Sequence, residues 1–256
     1  MIDLHTHILH GIDDGPRDLA GALELARAAL DDGVRTLAAT PHGRSSVGGG
    51  RYSVAALRER LAELRAALAA QGLPLEIVEG TEIYGEGGLV QRLRRGELLG
   101  YAGSRALLVE FPANTIPAAV EQIVFELQLA GHRVVVAHPE RLRYAQDDPN
   151  VLIPLIERGA LMQLTADALL GNHGERRRRL AETMLGHGLV QLIASDAHGA
   201  HVGRLPNLGA ATRRAAELVG APAAVALSGA VPAAILADSP IDPPAPTRVR
   251  RRFGFL

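Results

Sequence analysis

Nine side chains able to hold a cation or move a proton recur at the ends of short apolar runs. His5 and His7 close the first run as an H-x-H pair. His42 stands two residues past Thr40, Glu82 lies just beyond Ile77-Val78, Glu110 ends Leu107-Leu108-Val109, and His138 ends Val134-Val135-Val136-Ala137. Asp196 and His198 follow Leu192-Ile193-Ala194-Ser195, and Asp14 sits in the turn Gly11-Ile12-Asp13-Asp14-Gly15-Pro16. Side chains at i and i+2 of a strand point the same way, so H-x-H lets two imidazoles grip one ion. Asp196 and His198 work alike while the backbone stays extended. A mixed nitrogen and oxygen set suits zinc, manganese or iron better than calcium. Nine groups are too many for one ion and imply two or three, the kind of centre that clamps a phosphate and makes hydroxide near neutral pH. Taken alone, an H-x-H pair or a Glu at a strand end is often only structure or surface. The joint pattern, six strands each finishing in a potential ligand, is what points to a site.

Groups this far apart in sequence must be gathered by the fold. Short apolar runs alternate with helical patterns, which predicts strands over 2–4, 34–40, 75–78, 106–111, 133–137, 160–165 and 189–194. Helices are expected over 18–32, 52–71, 117–130, 149–158, 176–185 and 206–219, with more helix in 221–237. Residues 85–105 read as a Gly-rich, then basic, loop with a helical turn or two. Alternating βα units imply a parallel sheet with right-handed connections. A closed barrel is favoured, because the carboxyl ends of its strands converge on one face, where such sites sit. No dinucleotide-binding G-x-G-x-x-G follows the first strand, and no P-loop is present. The expected organisation is a barrel over residues 1–238 and a Pro/Arg-rich tail over 239–256, read as a mobile extension.

Two arginines stand out. Arg141 follows His138-Pro139-Glu140, and Arg204 lies six residues past His198. A planar guanidinium can meet two phosphate oxygens at once, so both are expected to contact a substrate phosphate. The run Arg176 to Arg179 reads instead as a solvated helix face. His10, His132, His173, His187 and His201 read as surface or helix-end residues.

Composition narrows the function. With 256 residues, 47% of them hydrophobic, the chain can bury one sizeable core. Its net charge of −1 gives no reason to expect nucleic acid or an anionic membrane as partner. The chain has no Cys, which removes thiolate ligands and any phosphocysteine mechanism. No signal peptide is expected ahead of the first strand and no apolar run reaches the length needed for membrane insertion, so a cytoplasmic protein is expected.

With these residues assembled, the sequence resembles the PHP (polymerase and histidinol phosphatase) superfamily, and within it the CpsB/CapC-type bacterial protein-tyrosine phosphatases. The likeness rests on DLHTHILHGIDDGPRD, ATPH, GTEIY, LLVEFP, AHPER, QLTADALLG and ASDAH, from residue 3 to residue 204. It implies an α/β fold, a distorted (β/α)7 TIM-like barrel of the PHP type. It also implies a manganese-preferring site of two or three divalent ions, with Zn2+ or Fe2+ as alternatives. The resemblance carries ligand roles onto His5, His7, Asp14, His42, Glu82, Glu110, His138, Asp196 and His198, and gives Arg141 and Arg204 phosphate binding and catalysis. The implied substrate is a phosphotyrosine-bearing protein, the tail of a bacterial tyrosine kinase in capsule or exopolysaccharide biosynthesis, and a homo-oligomer is implied weakly. The chain departs from the family pattern at His10, Gly43 and Thr81, none of them a proposed ligand. The ligand set alone leaves two other readings open: a phosphatase of a small phosphoester such as histidinol phosphate or a nucleotide, and a weakly catalytic, metal-stabilised regulatory partner of the kinase. Amide hydrolysis on a related barrel usually needs a bridging lysine or a second paired-His site, and the chain has no Lys.

Overall fold

The structure is a computed structural model and describes residues 1–43, 46, 49, 52–201 and 204–250. Its first part runs β1 (Ile2–Thr6), α1 (Leu19–Asp31), β2 (Thr36–Ala39), α2 (Val54–Ala70), β3 (Glu76–Glu79), β4 (Glu82–Tyr84) and α3 (Leu89–Arg94). There follow β5 (Ala106–Glu110), α4 (Pro117–Leu129), β6 (Arg133–Ala137), α5 (Arg143–Asp147), α6 (Ile153–Glu157) and β7 (Leu161–Thr165). The last elements are α7 (Ala166–Leu170), α8 (Glu175–Gly186), β8 (Leu192–Ala194), α9 (Leu208–Val219), α10 (Ala221–Leu227) and α11 (Ala230–Leu236).

Local chemistry sets several of these boundaries. Asp18 and Ser53 cap α1 and α2 by accepting from the amides of Gly21 and Ala56, which would otherwise lack a partner. Leu57, Leu61, Leu64 and Leu68 form the buried stripe of α2. The single helix expected over 149–158 is instead a 3-10 turn, Pro149–Leu152, followed by the short α6. Pro154 lacks an N–H and is tolerated only in the first turn of a helix, so a new helix starts there.

The strands form two parallel sheets, β1-β2-β3 and β4-β5-β6-β7-β8. This is a mixed α/β fold with parallel sheets. The expected seven strands are eight among the described residues, because Glu82, read as lying past the third strand, opens a short strand of its own. The expected closed barrel is not seen as one continuous sheet among the described residues. The chain breaks its ladder at Gly80-Thr81, between β3 and β4, so the sheet divides there. At both seams the main chains still bond just past the strand ends: Asp196 donates to His5 O at 2.8 Å, His7 to Ala197 O at 2.9 Å, and Gly43 to Glu82 O at 2.8 Å.

Both faces of most strands are buried, as parallel sheets require, with β3 partly open at the edge of its sheet. One face packs on the helices through residues such as Leu37, Val109, Val136, Leu164 and Ile193. A smaller cluster draws Leu4, Ala38, Leu108, Val135, Leu161 and Leu192, from strands of both sheets, around Tyr101. Tyr101, within the segment expected to form a loop with a helical turn or two, is buried. No helix among the described residues is long and apolar enough to cross a membrane.

The tail differs from the expected mobile extension as far as residue 250. It has no helix or strand, but Thr247 donates to His187 O at 2.9 Å. The Asn150 side chain pairs with both main-chain groups of Val249, accepting from its N–H at 2.8 Å and donating to its carbonyl at 3.1 Å. Arg251 and Arg252 lie outside the described residues.

Candidate metal centre

Strand ends place the site. β1 delivers His5 from its interior and His7 just past its end, and their Nε2 atoms lie 3.3 Å apart. β4 opens with Glu82, β5 ends with Glu110, His138 follows β6, and Asp196 and His198 follow β8. His42 sits past β2, bridged to Glu82 across the seam. All nine expected ligands meet, in four overlapping groups: His7, Asp14, His42 and His198; His5, His7 and Asp196; His5, Glu82 and His138; and His42, Glu82 and Glu110. Within each group the candidate ligand atoms lie within 4.8 Å of one another.

Two buried carboxylates knit the groups together. Glu82 Oε1 is 2.8 Å from His138 Nε2 and 3.3 Å from His5 Nε2, while its Oε2 is 2.8 Å from His42 Nδ1 and 3.3 Å from His7 Nε2. Asp196 Oδ1 lies 3.3 Å from His5 Nε2 and 3.4 Å from His7 Nε2. At the outer edge Asp14 Oδ1 is 3.1 Å from His198 Nε2 and 3.7 Å from His42 Nε2. Burial disfavours charge on Glu82 and Asp196, but the facing His5 and, for Asp196, first of all Arg141 outweigh it and hold both carboxyls well below the usual range. Burial likewise opposes charge on His42, yet Glu110 and Glu82 raise its pKa to about 9.

Whether this set suits a cation can be judged from its lone pairs. His42 Nδ1, Glu82 Oε2, Glu110 Oε1 and Asp196 Oδ1 are buried and crowd against one another or against His5 and His7 without a well-formed hydrogen bond. A buried polar atom without a partner is costly. Four such atoms in one cluster, all nitrogen or oxygen, are what a shared divalent cation would satisfy. The donor set fits manganese, zinc or iron.

The backbone is bent to serve this cluster. His138 at φ +35° and Asp196 at φ +56° are two of the four non-glycine residues with positive φ among those described. Such conformations are unfavourable and gather at functional sites. A side chain at Gly15 would meet the His7 carbonyl at 2.0 Å, so only glycine lets the turn bearing Asp14 close over β1.

Arg141 and Arg204 both reach the centre. Each donates to Asp196 Oδ2, Arg204 Nη1 at 2.8 Å, and Arg204 Nη2 also donates to His198 Nε2. Their side chains keep 24% and 25% exposure, so each retains an open edge.

Three neighbours escaped the sequence reading. Asp13 Oδ2 accepts from His7 Nδ1 at 2.7 Å and from the His42 amide at 2.9 Å, while its Oδ1 takes the Gly15 amide at 3.1 Å. Gln163, in the middle of β7, places Oε1 2.8 Å from His5 Nδ1. Asp3 Oδ1 accepts from the amides of His5 and Ser195 and so links β1 to the end of β8. Of the histidines read as peripheral, His10 is buried, with Nε2 3.4 Å from Glu63, and His173 is half-buried beside Asp167.

A parallel α/β scaffold that converges imidazoles and carboxylates on one end of its strands defines the class of metal-dependent hydrolase folds. Within that class, the chain belongs to the family described as "Capsular polysaccharide synthesis, CpsB/CapC", whose profile matches residues 1–237. It is 38% identical over 198 residues to the tyrosine-protein phosphatase YwqE of Bacillus subtilis, covering 77% of each chain. It is 27% identical over 205 residues to the tyrosine-protein phosphatase CpsB of Streptococcus pneumoniae, covering 77% of this chain and 83% of that one. A crystal structure from work on those two proteins, described as unique metal-dependent tyrosine phosphatases, superposes with TM-score 0.91 at 33% identity, covering 98% of this chain and 100% of the other. A prolidase, at TM-score 0.54 and 16% identity over 93% of this chain and 74% of its own, shares the fold alone.

Proposed function

We propose that this chain is a metal-dependent protein-tyrosine phosphatase in which His5, His7, Asp14, His42, Glu82, Glu110, His138, Asp196 and His198 hold two or three divalent ions, manganese foremost. One observation carries the reading: all nine groups interlock through Glu82 and Asp196, in a chain 38% identical to a tyrosine phosphatase. The two sheets are read as halves of one distorted barrel, on the strength of the hydrogen-bonded seams and the apolar cluster shared by strands of both. The substrate is a phosphotyrosine-bearing protein, the tail of a bacterial tyrosine kinase that governs capsule or exopolysaccharide synthesis. A cytoplasmic site of action goes with a substrate whose phosphate comes from ATP. The reading allows a homo-oligomer, for which the exposed Phe125 and Leu129 on α4 offer an apolar face.

Bound ions would supply Lewis acidity and turn water into a nucleophile near neutral pH. The chain's own groups orient and stabilise. Glu82 and Asp196 fix the imidazoles between them. Arg141 and Arg204, anchored on Asp196, turn their remaining N–H donors to the phosphoryl oxygens as charge spreads over them. A phenolate leaves with a pKa of about 10 and needs less protonation than an alkoxide. No covalent intermediate on the protein is required. Phosphate release measured side by side on a phosphotyrosine peptide, histidinol phosphate and a nucleotide tests the assignment. The peptide should be preferred, and preference for either small molecule would move the chain to the other reading.

Asp13 is a positioning residue. Because it fixes the His7 ring and the His42 amide together, Asp13→Asn should weaken Mn2+ binding roughly 10- to 100-fold, as such outer partners do. Titration calorimetry with Mn2+ reads this directly; unchanged affinity would remove the role.

The imidazoles also set a pH dependence. The His42 pKa is raised from 6.5 to about 9, so the metal-free fold is stabilised by its proton below 6.5 and loses that contribution as the pH rises to 9. A cation needs the neutral ring, so binding must release protons and tighten with pH. The melting temperature of the metal-free chain should therefore fall between pH 6.5 and 9, while the shift produced by Mn2+ grows. Parallel trends with and without the ion would contradict this.

A further inference from the structure

β7 is the one strand of the five-stranded sheet that supplies no candidate ligand, yet its inner face is polar where an apolar residue could pack. Met162 and Leu164 face the helices, and Leu161 joins the inner cluster around Tyr101. By strand alternation Gln163 shares the face of Leu161. Gln163 is fully buried, and its Oε1 lies 2.8 Å from His5 Nδ1. Its Nε2 is buried with no hydrogen-bond partner among the described residues. A buried amide with an unpaired donor costs stability, so packing gives no reason for this residue.

The His5 ring does. A neutral imidazole carries one proton, and only its bare nitrogen can hold a cation. His5 Nε2, which faces the other candidate ligands, has Glu82 Oε1 and Asp196 Oδ1 each at 3.3 Å. Before an ion arrives, both carboxylates draw the proton to Nε2, the wrong tautomer for binding. The Gln163 carbonyl oxygen can only accept, so it draws the proton to Nδ1 and leaves Nε2 bare. His7 is held in the same form by a different group, with its Nδ1 2.7 Å from Asp13 Oδ2. The two partners differ in charge, and so do their surroundings. Asp13 stands on a half-buried turn. His5 already has Asp3 on its amide and Glu82 and Asp196 on its ring. A fourth carboxylate there would be a buried like charge, whereas an amide orients the ring without one.

We propose that Gln163 is a positioning residue that selects the Nδ1–H form of His5, so that one neutral and one charged outer partner present the H-x-H pair to its ion. Its purpose rests on the metal-centre reading, but the proton on His5 can be observed without any ion.

The test joins 1H–15N spectra of the histidine-labelled chain to calorimetric titration with Mn2+. The His5 ring is identified by its absence from His5→Ala. In the metal-free wild type, His5 Nδ1 should carry a slowly exchanging proton. Zn2+, used here because it does not broaden the signals, should shift Nε2 and leave that proton in place. A bare Nδ1 in the wild type overturns the proposal. Gln163→Leu should weaken Mn2+ binding by about tenfold or more, the scale for losing such an outer partner, while the melting temperature of the metal-free chain does not fall. Gln163→Glu keeps an acceptor in place and should recover most of the lost affinity. Wild-type affinity in Gln163→Leu, or equal losses in both variants, would reduce Gln163 to a packing residue. If Gln163→Leu fails to fold, the wild-type spectra still decide. Should the chain bind no divalent ion, the metal-centre reading fails by itself, and the Nδ1 proton of the metal-free chain still tests Gln163.

Discussion

Asp196→Ala should lower kcat/KM on a phosphotyrosine peptide by on the order of a thousandfold or more, comparable to losing a principal charge-stabilising group. Asp196 is fully buried and serves both halves of the site. Its Oδ1 faces His5 and His7, and its Oδ2 anchors Arg141 and Arg204. Truncation would remove a proposed ligand and free both guanidiniums at once, so Mn2+ content should fall together with turnover. Asp196→Asn keeps the shape and one acceptor oxygen but not the charge. It should fold, as read by circular dichroism, and still lose activity. His5→Ala, which removes the imidazole between Glu82 and Asp196, should behave like Asp196→Ala. Activity near wild type with a full metal complement in either alanine variant would contradict the site.

Arg141→Ala should separate phosphate handling from metal binding. Its guanidinium touches Asp196 but belongs to none of the four ligand groups. Metal content should stay at the wild-type level while kcat/KM drops by roughly 10²- to 10³-fold, the range for removing a preorganised donor to a developing anion. Arg204→Ala should resemble it. Because both arginines donate to the same oxygen, the double variant should lose less than the product of the single losses. Loss of Mn2+ from Arg141→Ala, measured by elemental analysis, would recast the residue as a structural clamp on Asp196.

The candidate ligands were legible because their signal is local. A polar group capping an apolar run, as Glu110 after Leu107-Leu108-Val109 or His138 after Val134-Val135-Val136-Ala137, marks a strand end without knowledge of its neighbours. The structure brings all nine together. What stayed hidden depends on who faces whom. Asp13 stands beside Asp14 in sequence, and nothing local says that one orients His7 while the other faces His198. Gln163 did leave a trace: of the seven expected strands, 160–165 alone lacks a candidate ligand at its end, yet it carries a polar residue in the middle of Leu161-Met162-Gln163-Leu164-Thr165. The half-burial of His173 leaves no local mark, because exposure of a turn residue depends on what packs over it, here the α8 region against the Arg141 turn.

The fold divides along the same line. Periodicity located the strands and most helices, since burial on one face is written into residue spacing. It could not separate β3 from β4, where Glu76–Glu79 and Glu82–Tyr84 are parted by only Gly80 and Thr81. It could not place the tail either. Asn150 binds Val249 by side-chain amide alone, a contact between residues far apart that leaves no periodic mark.

The decisive measurement is phosphate release from a phosphotyrosine peptide by the wild-type chain, first stripped with chelator and then given Mn2+ in steps. Turnover that vanishes on stripping and returns in proportion to two or three bound ions is what nine gathered imidazoles and carboxylates require. Hydrolysis that continues at full rate in the stripped protein would show that this cluster does not split the phosphoester.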